Sequence, residues 1–315
     1  MGVAAKTGIR AIRLAHGAID TAVLAAVLLL IVVGCYAVWD SKQVFDTASA
    51  AQYAAYKPTA EHETPSFSDL RAINPEVFAW LTVYGTNIDY PVVYSPDDNQ
   101  KYVSTDAMGR YSMSGAIFLD RNCNPAFTDF SSILRGHHME KRTMFGEIGF
   151  FAEKSYFDAR QYGMLYYGGQ AHGLEFFALV HADAYDGEIY RVGITGREES
   201  RAYLNLLLAR AINTRDIQVT ADDKIVLLST CSGASTNGRD LLVGKITDEL
   251  REDPFVMEKP NNAIALAADR LPGLWAQPPL WAKIGLISLL LLGLLLLLFL
   301  LIRNTKRKHA KKFTR

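Results

Sequence analysis

The sequence predicts a mainly β protein, a barrel or a sandwich, held between two apolar segments. Three observations carry this. Eight short runs rich in β-branched and aromatic residues are separated by turn formers, the texture of strands joined by loops. One amphipathic helix pattern interrupts them, which argues against the regular strand–helix alternation of a parallel α/β sheet. Near either end stands a stretch of nineteen residues without a charge, Thr21–Trp39 and Ile284–Ile302.

Taken in order, residues 1–18 form a short tail carrying Lys6, Arg10 and Arg13, and residues 19–39 a transmembrane helix. Nineteen helical residues span roughly 28 Å, close to the thickness of a hydrocarbon core. The apolar run exceeds that of a cleaved secretory signal, and the small-residue triplet Ala48–Ala50 lies too far beyond it to be a cleavage site. Residues 40–65, Ala-rich and polar with no strand pattern, read as a linker or stalk. The β-rich region occupies 66–250, a second linker 251–281, a second transmembrane helix 282–302 and a basic tail 303–315. Basic flanks stay in the cytoplasm. Lys6, Arg10 and Arg13 before the first span, and seven lysines and arginines from Arg303 onward, therefore put both termini inside and the region between them outside. Trp275 and Trp281 suit the interface belt.

Within the outer region "FSDLRAI" predicts a short helix ending near Asn74-Pro75. The strand runs are "VFAWLTVYG", "IDYPVVY", "AIFLD", "SSILRGH", "MLYYGG", "LEFFALVHADAY", "KIVLLST" and "DLLVGKI". The helix "REESRAYLNLLLARAI" places Tyr203, Leu206, Leu207 and Ala211 on one face.

The formal charge of zero hides an asymmetry. From Asp40 to Ala282 there are 32 acidic and 22 basic residues. Such a surface repels a phosphate backbone, so nucleic acid is not an expected partner. The basic tail reads as a topological anchor that touches the lipid bilayer. Three cysteines, Cys35, Cys123 and Cys231, are too few for a disulfide scaffold. A Cys123–Cys231 bridge is permitted outside the cell, but the surroundings of Cys231 point elsewhere.

Cys231 falls where an apolar strand ends and a Ser/Gly-rich loop begins. A thiol there is partly exposed and held on a rigid element, as a reactive cysteine needs; the bland alternative is a small buried hydrophobe. His137 and His138 follow another strand run and Gly136. Adjacent side chains on a strand point to opposite faces, so both cannot easily hold one ion, and no cluster at ligand spacing completes a metal site. Arg239 stands eight residues past Cys231, across one loop, where a guanidinium can stabilise an oxyanion or hold a peptide carbonyl.

The stretch "LLSTCSGASTNGRDLLVGKI" resembles the signature of the sortases, a strand ending in Leu-x-Thr-Cys with an arginine on the next strand. "ILRGHHMEKRTMFGEI" resembles the family's histidine segment, and "INPEVFAWLTVYGTNIDYPVVYSPDDNQKYV" with "GAIFLD" is similar to the class B branch. The resemblance covers about Phe67 to Leu250. It implies an eight-stranded β-barrel and a thiol transpeptidase of Gram-positive type that needs no cofactor and no metal. It makes Cys231 the nucleophile, His137 the acid/base and Arg239 the stabiliser, with His138 in support. Asn99, Val103, Ser229 and Thr230 fall on positions that face the sorting peptide in class B relatives. The expected partners are surface proteins or pilins with a C-terminal sorting signal, and an amine acceptor from peptidoglycan or a pilin lysine. Two features depart from the branch. A second, C-terminal span and the short Cys-to-Arg spacing are more familiar in pilin-polymerising class C enzymes, whose aromatic Asp-Pro lid the upstream segment lacks. A cysteine peptidase using the same residues, and a non-catalytic surface receptor, are the rival readings.

Overall fold

The computed structural model describes residues 3–59, 65–231 and 237–255. The expected second linker beyond residue 255, the second span and the basic tail lie outside the described residues. The body beginning at Val38 is a unit distinct from the segment up to Ala37.

Helix α1 runs Val3–Ala48, without an acid in its first turn or a base in its last. The helical stretch Leu14–Tyr56 is long and apolar enough to cross a membrane, a test that an N-terminal signal sequence also passes. The part expected to be a stalk is helical to Ala48 and continues as a 3-10 turn over Ala50–Tyr56, with Ser49 capping it. Its alanines favour helix intrinsically, and Ala48 and Tyr53 supply buried contacts.

The β-rich region forms helix α2 (Pro65–Ile73) and strands β1 (Val77–Val83), β2 (Asp89–Val93), β3 (Ile117–Leu119) and β4 (Ser131–Arg135). Then come helix α3 (Lys154–Ala159), β5 (Tyr162–Tyr167), β6 (Gln170–Asp183), helix α4 (Arg197–Arg210), β7 (Ala211–Thr214), β8 (Lys224–Cys231) and β9 (Gly238–Thr247). The order β5-β1-β2-β3-β4-β8-β9-β6 closes on itself because β6 also pairs β5. This is the expected eight-stranded barrel. β6 closes it because its first residues, from Gln170, pair β5 while residues from Gly173 onward pair β9. Two pairs, β2–β3 and β4–β8, are parallel, so the barrel is mixed.

β7 is an extra strand on β6 that the sequence reading missed. The expected helix face packs on the core through Tyr203, Leu206 and Leu207, but the helix stops one residue short of Ala211. Ser200, Tyr203, Leu204 and Leu207 are buried, Leu206 is half-buried, and Ala211 already belongs to β7. The helix ends at Arg210, and Leu204, on the same 3.6-residue repeat as Ser200, joins the buried face.

The core is aromatic. Trp80, Tyr90, Tyr102, Phe145, Phe151 and Phe176 are fully buried. The polar ends of these rings are paired, as burial requires; Trp80 Nε1, for example, donates to Asp89 Oδ1 at 2.7 Å.

Candidate active site

Three neighbouring strands, β4, β8 and β9, deliver the candidate residues to one end of the barrel. β8 and β9 are antiparallel, and Cys231 lies directly opposite Arg239. Opposed residues share a face of the sheet. β4 runs parallel to β8 with Arg135 opposite Ser229, and Gly136 N–H donates to Ser229 O at 3.2 Å. Two residues further along each chain stand His137 and Cys231, so the register brings them level. Neighbouring strands lie about 4.8 Å apart. Cys231 is exposed, while His137 and Arg239 are half-buried. All three cysteines are free thiols, which removes the Cys123–Cys231 bridge. Burial pushes the Cys123 thiol up to about 11 and keeps it inert.

The imidazole of His137 is held from its far side. Nε2 lies 2.8 Å from the carbonyl of Val103. A carbonyl only accepts, so in the neutral ring Nε2 carries the proton and Nδ1 is the free basic nitrogen. Val103 ends a 3-10 turn over Lys101–Val103. The Tyr102 hydroxyl anchors that turn by donating to Glu76 Oε2 at 2.5 Å and accepting from Asn74 Nδ2 at 2.9 Å. His138 is exposed and meets Met144 in an isolated backbone bridge.

Beside Cys231 lies a network the sequence reading did not foresee. Ser229, buried, shares a 2.8 Å hydrogen bond with the Tyr190 hydroxyl. Arg135 stacks over the Tyr190 ring, 4.9 Å to its centroid. The same guanidinium grips buried Asp120, with Nε 3.0 Å and Nη2 2.9 Å from Oδ2. Burial pushes the Tyr190 phenol above its ordinary range, and its bond to Ser229 and the charges of Arg135 and Arg239 moderate the shift while Cys231 adds to it. Helix α4 fixes the loop carrying this tyrosine, because the Tyr203 hydroxyl donates to the Ile189 carbonyl. Arg135 was visible next to Gly136-His137 in sequence. Tyr190 sits in an irregular loop and gave no signal.

The other expected residues are placed as follows. Asn99, half-buried, accepts from Arg121 N–H through Oδ1 at 2.8 Å. Val103 is half-buried beside His137. Thr230 is buried, its hydroxyl without a hydrogen-bond partner among the described residues, and strand alternation turns it to the face opposite Cys231. Arg239 Nη1 donates to the neighbouring Gly238 carbonyl at 2.9 Å. Among the described residues no group of three His, Cys, Asp or Glu side chains could hold a metal ion.

No family model matches the chain. It is similar to the solved sortase B from the type II pilus of Streptococcus pneumoniae, with 46% identity, covering 58% of this chain and 99% of that one at a TM-score of 0.51. It is also similar to a solved Streptococcus pyogenes class B sortase involved in pilus biogenesis, with 36% identity, 57% and 97% coverage and a TM-score of 0.52. Among curated proteins, sortase B of Listeria monocytogenes is 29% identical over 182 residues, 56% of this chain and 72% of that protein. These likenesses span the barrel that carries Cys231, His137 and Arg239, and with them the chain belongs to the class B sortases, a family of cysteine transpeptidases.

Proposed function

We propose that this sortase is anchored in the cell membrane of a Gram-positive bacterium and cleaves a C-terminal sorting signal after threonine, with Cys231 as nucleophile, His137 as acid/base and Arg239 as stabiliser. The observation that carries the reading is the register. Cys231 and Arg239 are opposed on β8 and β9, and parallel β4 ends level with Ser229, two residues before His137, which supports bringing the three together.

The chemistry follows from the groups. The Cys231 thiolate attacks the carbonyl after threonine, and an S–C bond forms. Arg239 stabilises the oxyanion. The C–N bond breaks, and protonated His137 gives its proton to the departing amine nitrogen. The thioester is then attacked by an acceptor amine, which loses a proton to His137 as the C–S bond breaks and the thiolate is restored. One amide replaces another, so the step needs neither oxidant nor ATP. With Nε2 engaged by Val103 O, Nδ1 of His137 is the nitrogen suited to both transfers. Asn99, Val103 and Ser229 border the peptide groove in this reading, whereas Thr230, buried and turned away from Cys231, lies behind it.

The acceptor is a peptidoglycan amine or a pilin lysine. Two of the solved relatives belong to pilus systems, which supports the second. Helix α1 anchors the enzyme and a second span at 282–302 returns the chain to the cytoplasm, with the catalytic barrel outside; the basic flanks of both segments support this topology.

The test is a sorting peptide offered with and without oligoglycine, the acyl-enzyme being trapped and weighed by mass spectrometry. The reading expects a thioester on Cys231 that is lost in Cys231→Ala, and amine-dependent ligation. Hydrolysis indifferent to added amine would make the chain a peptidase. An unreactive wild-type thiol would refute catalysis altogether.

A further inference from the structure

The loop that leaves His137 is bent in an unusual way. Lys141, Arg142 and Met144 have φ of 56°, 58° and 53°. None is glycine, and left-handed backbone at such residues persists only where the surroundings enforce it. The loop then returns to its origin, with Phe145 N–H donating to His137 O at 3.0 Å and Met144 bridging His138. Whatever fixes Met144 therefore fixes the backbone of His137.

Tyr90 does so. It stands on β2, is 2% exposed, and its hydroxyl accepts from Met144 N–H at 2.9 Å. The same hydroxyl donates to Ala48 O at 2.9 Å, the last carbonyl of α1. A helix leaves its final carbonyls without intrahelical partners, and this one is capped by a tyrosine from the barrel. Burial pushes the Tyr90 phenol up to about 12, so it remains a neutral donor. A second contact joins the same two parts: Lys141 Nζ sits 3.9 Å from the centroid of the Phe45 ring, one turn earlier in α1.

We propose that Tyr90 is a positioning residue for the transpeptidation, tying the end of α1 to the loop that carries His137. The final turn of the N-terminal helix is then a working support of the active site as well as a tether. The proposal rests on the role given to His137 above.

The test uses the full chain in detergent or nanodiscs, with Tyr90→Phe and Phe45→Ala. Amide exchange of Met144 and Phe145 rises roughly tenfold in Tyr90→Phe, while β5 and β6 keep their protection. The kcat for acylation falls about fivefold or more with KM unchanged, and its pH profile shifts. Phe45→Ala moves the same readouts less, and decides the matter if Tyr90→Phe does not fold. Unchanged exchange at Met144 and Phe145 overturns the coupling; faster exchange with unchanged kcat overturns the positioning role. Exchange is read without substrate, so a wild-type chain that never acylates would sink the catalytic reading and leave the link between helix and loop standing.

Discussion

Arg135→Ala should unseat both the fold and the site, by an amount the structure sets. Asp120 is 5% exposed at its side chain and relies on the Arg135 guanidinium for two contacts, at 3.0 and 2.9 Å. Removing one partner of a fully buried ion pair costs about 3–5 kcal/mol, because the other charge is left uncompensated. Two features reduce this. The arginine is 32% exposed, and Asp120 Oδ1 keeps the Asn122 backbone and side-chain donors, both at 3.1 Å. About 2–3 kcal/mol remains. For a body of this size each kcal/mol moves the midpoint by about 2–4 °C, so Tm should fall by about 4–12 °C. Thermal unfolding followed by circular dichroism reads it. Asp120→Asn in the same background completes a double-mutant cycle, and its coupling should be about 1–3 kcal/mol. A fall below about 2 °C, or strict additivity, would show that the pair does not hold the strand end. Acylation should suffer beyond the loss of stability, since the Tyr190 ring loses its stack and the bond to Ser229 loses its support.

Four further outcomes are expected. His137→Ala should abolish acylation while exposed His138→Ala keeps most of it, as trapping of the acyl-enzyme will show; the reverse would mean that the pair has been assigned the wrong way round. Arg239→Lys should lower the acylation rate about a hundredfold or more with the barrel folded, because a lysine lacks the planar fork. Gly115→Ala should cost about 1–3 kcal/mol in a denaturant titration and shift the pH profile of acylation. Gly115 has φ 58°, and a Cβ there would strike the Tyr102 carbonyl and stand 2.8 Å from the Val103 carbonyl that holds His137. Burial lowers the pKa of His172 below 6.5. The unfolded chain then binds the extra proton more readily, so this contribution weakens stability as pH falls through about 6.5 toward the folded value; His172→Gln should flatten Tm between about pH 7 and about pH 5.

Much of the barrel was legible because its strands satisfy two rules at once. Runs such as "KIVLLST" combine β-branched residues with turn formers at each end, and both faces are buried, so little else fits them. β7 was illegible for the opposite reason. Ala211–Thr214 is four residues long, follows α4 without a turn, and becomes a strand only because β6 offers an edge. The stalk was legible only as a segment without strand character, and its alanines and the buried contacts of Ala48 and Tyr53 make it helical. A local pattern reports what a segment permits, and an edge or a pocket elsewhere in the chain decides what it does.

The site shows the same division within three residues. Arg135, Gly136 and His137 are adjacent in sequence, and a strand turns successive residues to opposite faces. Arg135 stacks on Tyr190, which bonds Ser229, so it lies on the face of Cys231. His137 stands two residues on, just past the end of β4. Gly136 between them faces the other way, where a Cβ would stand 2.5 Å from Ile117 Cδ1 and 2.8 Å from Phe145 Cδ2. A slip of one residue in the β4–β8 register would drive Arg135 into that packed layer. The glycine therefore favours the observed β4–β8 register. The triplet hints at this locally, but the partner that makes it true is Ser229, ninety-four residues away.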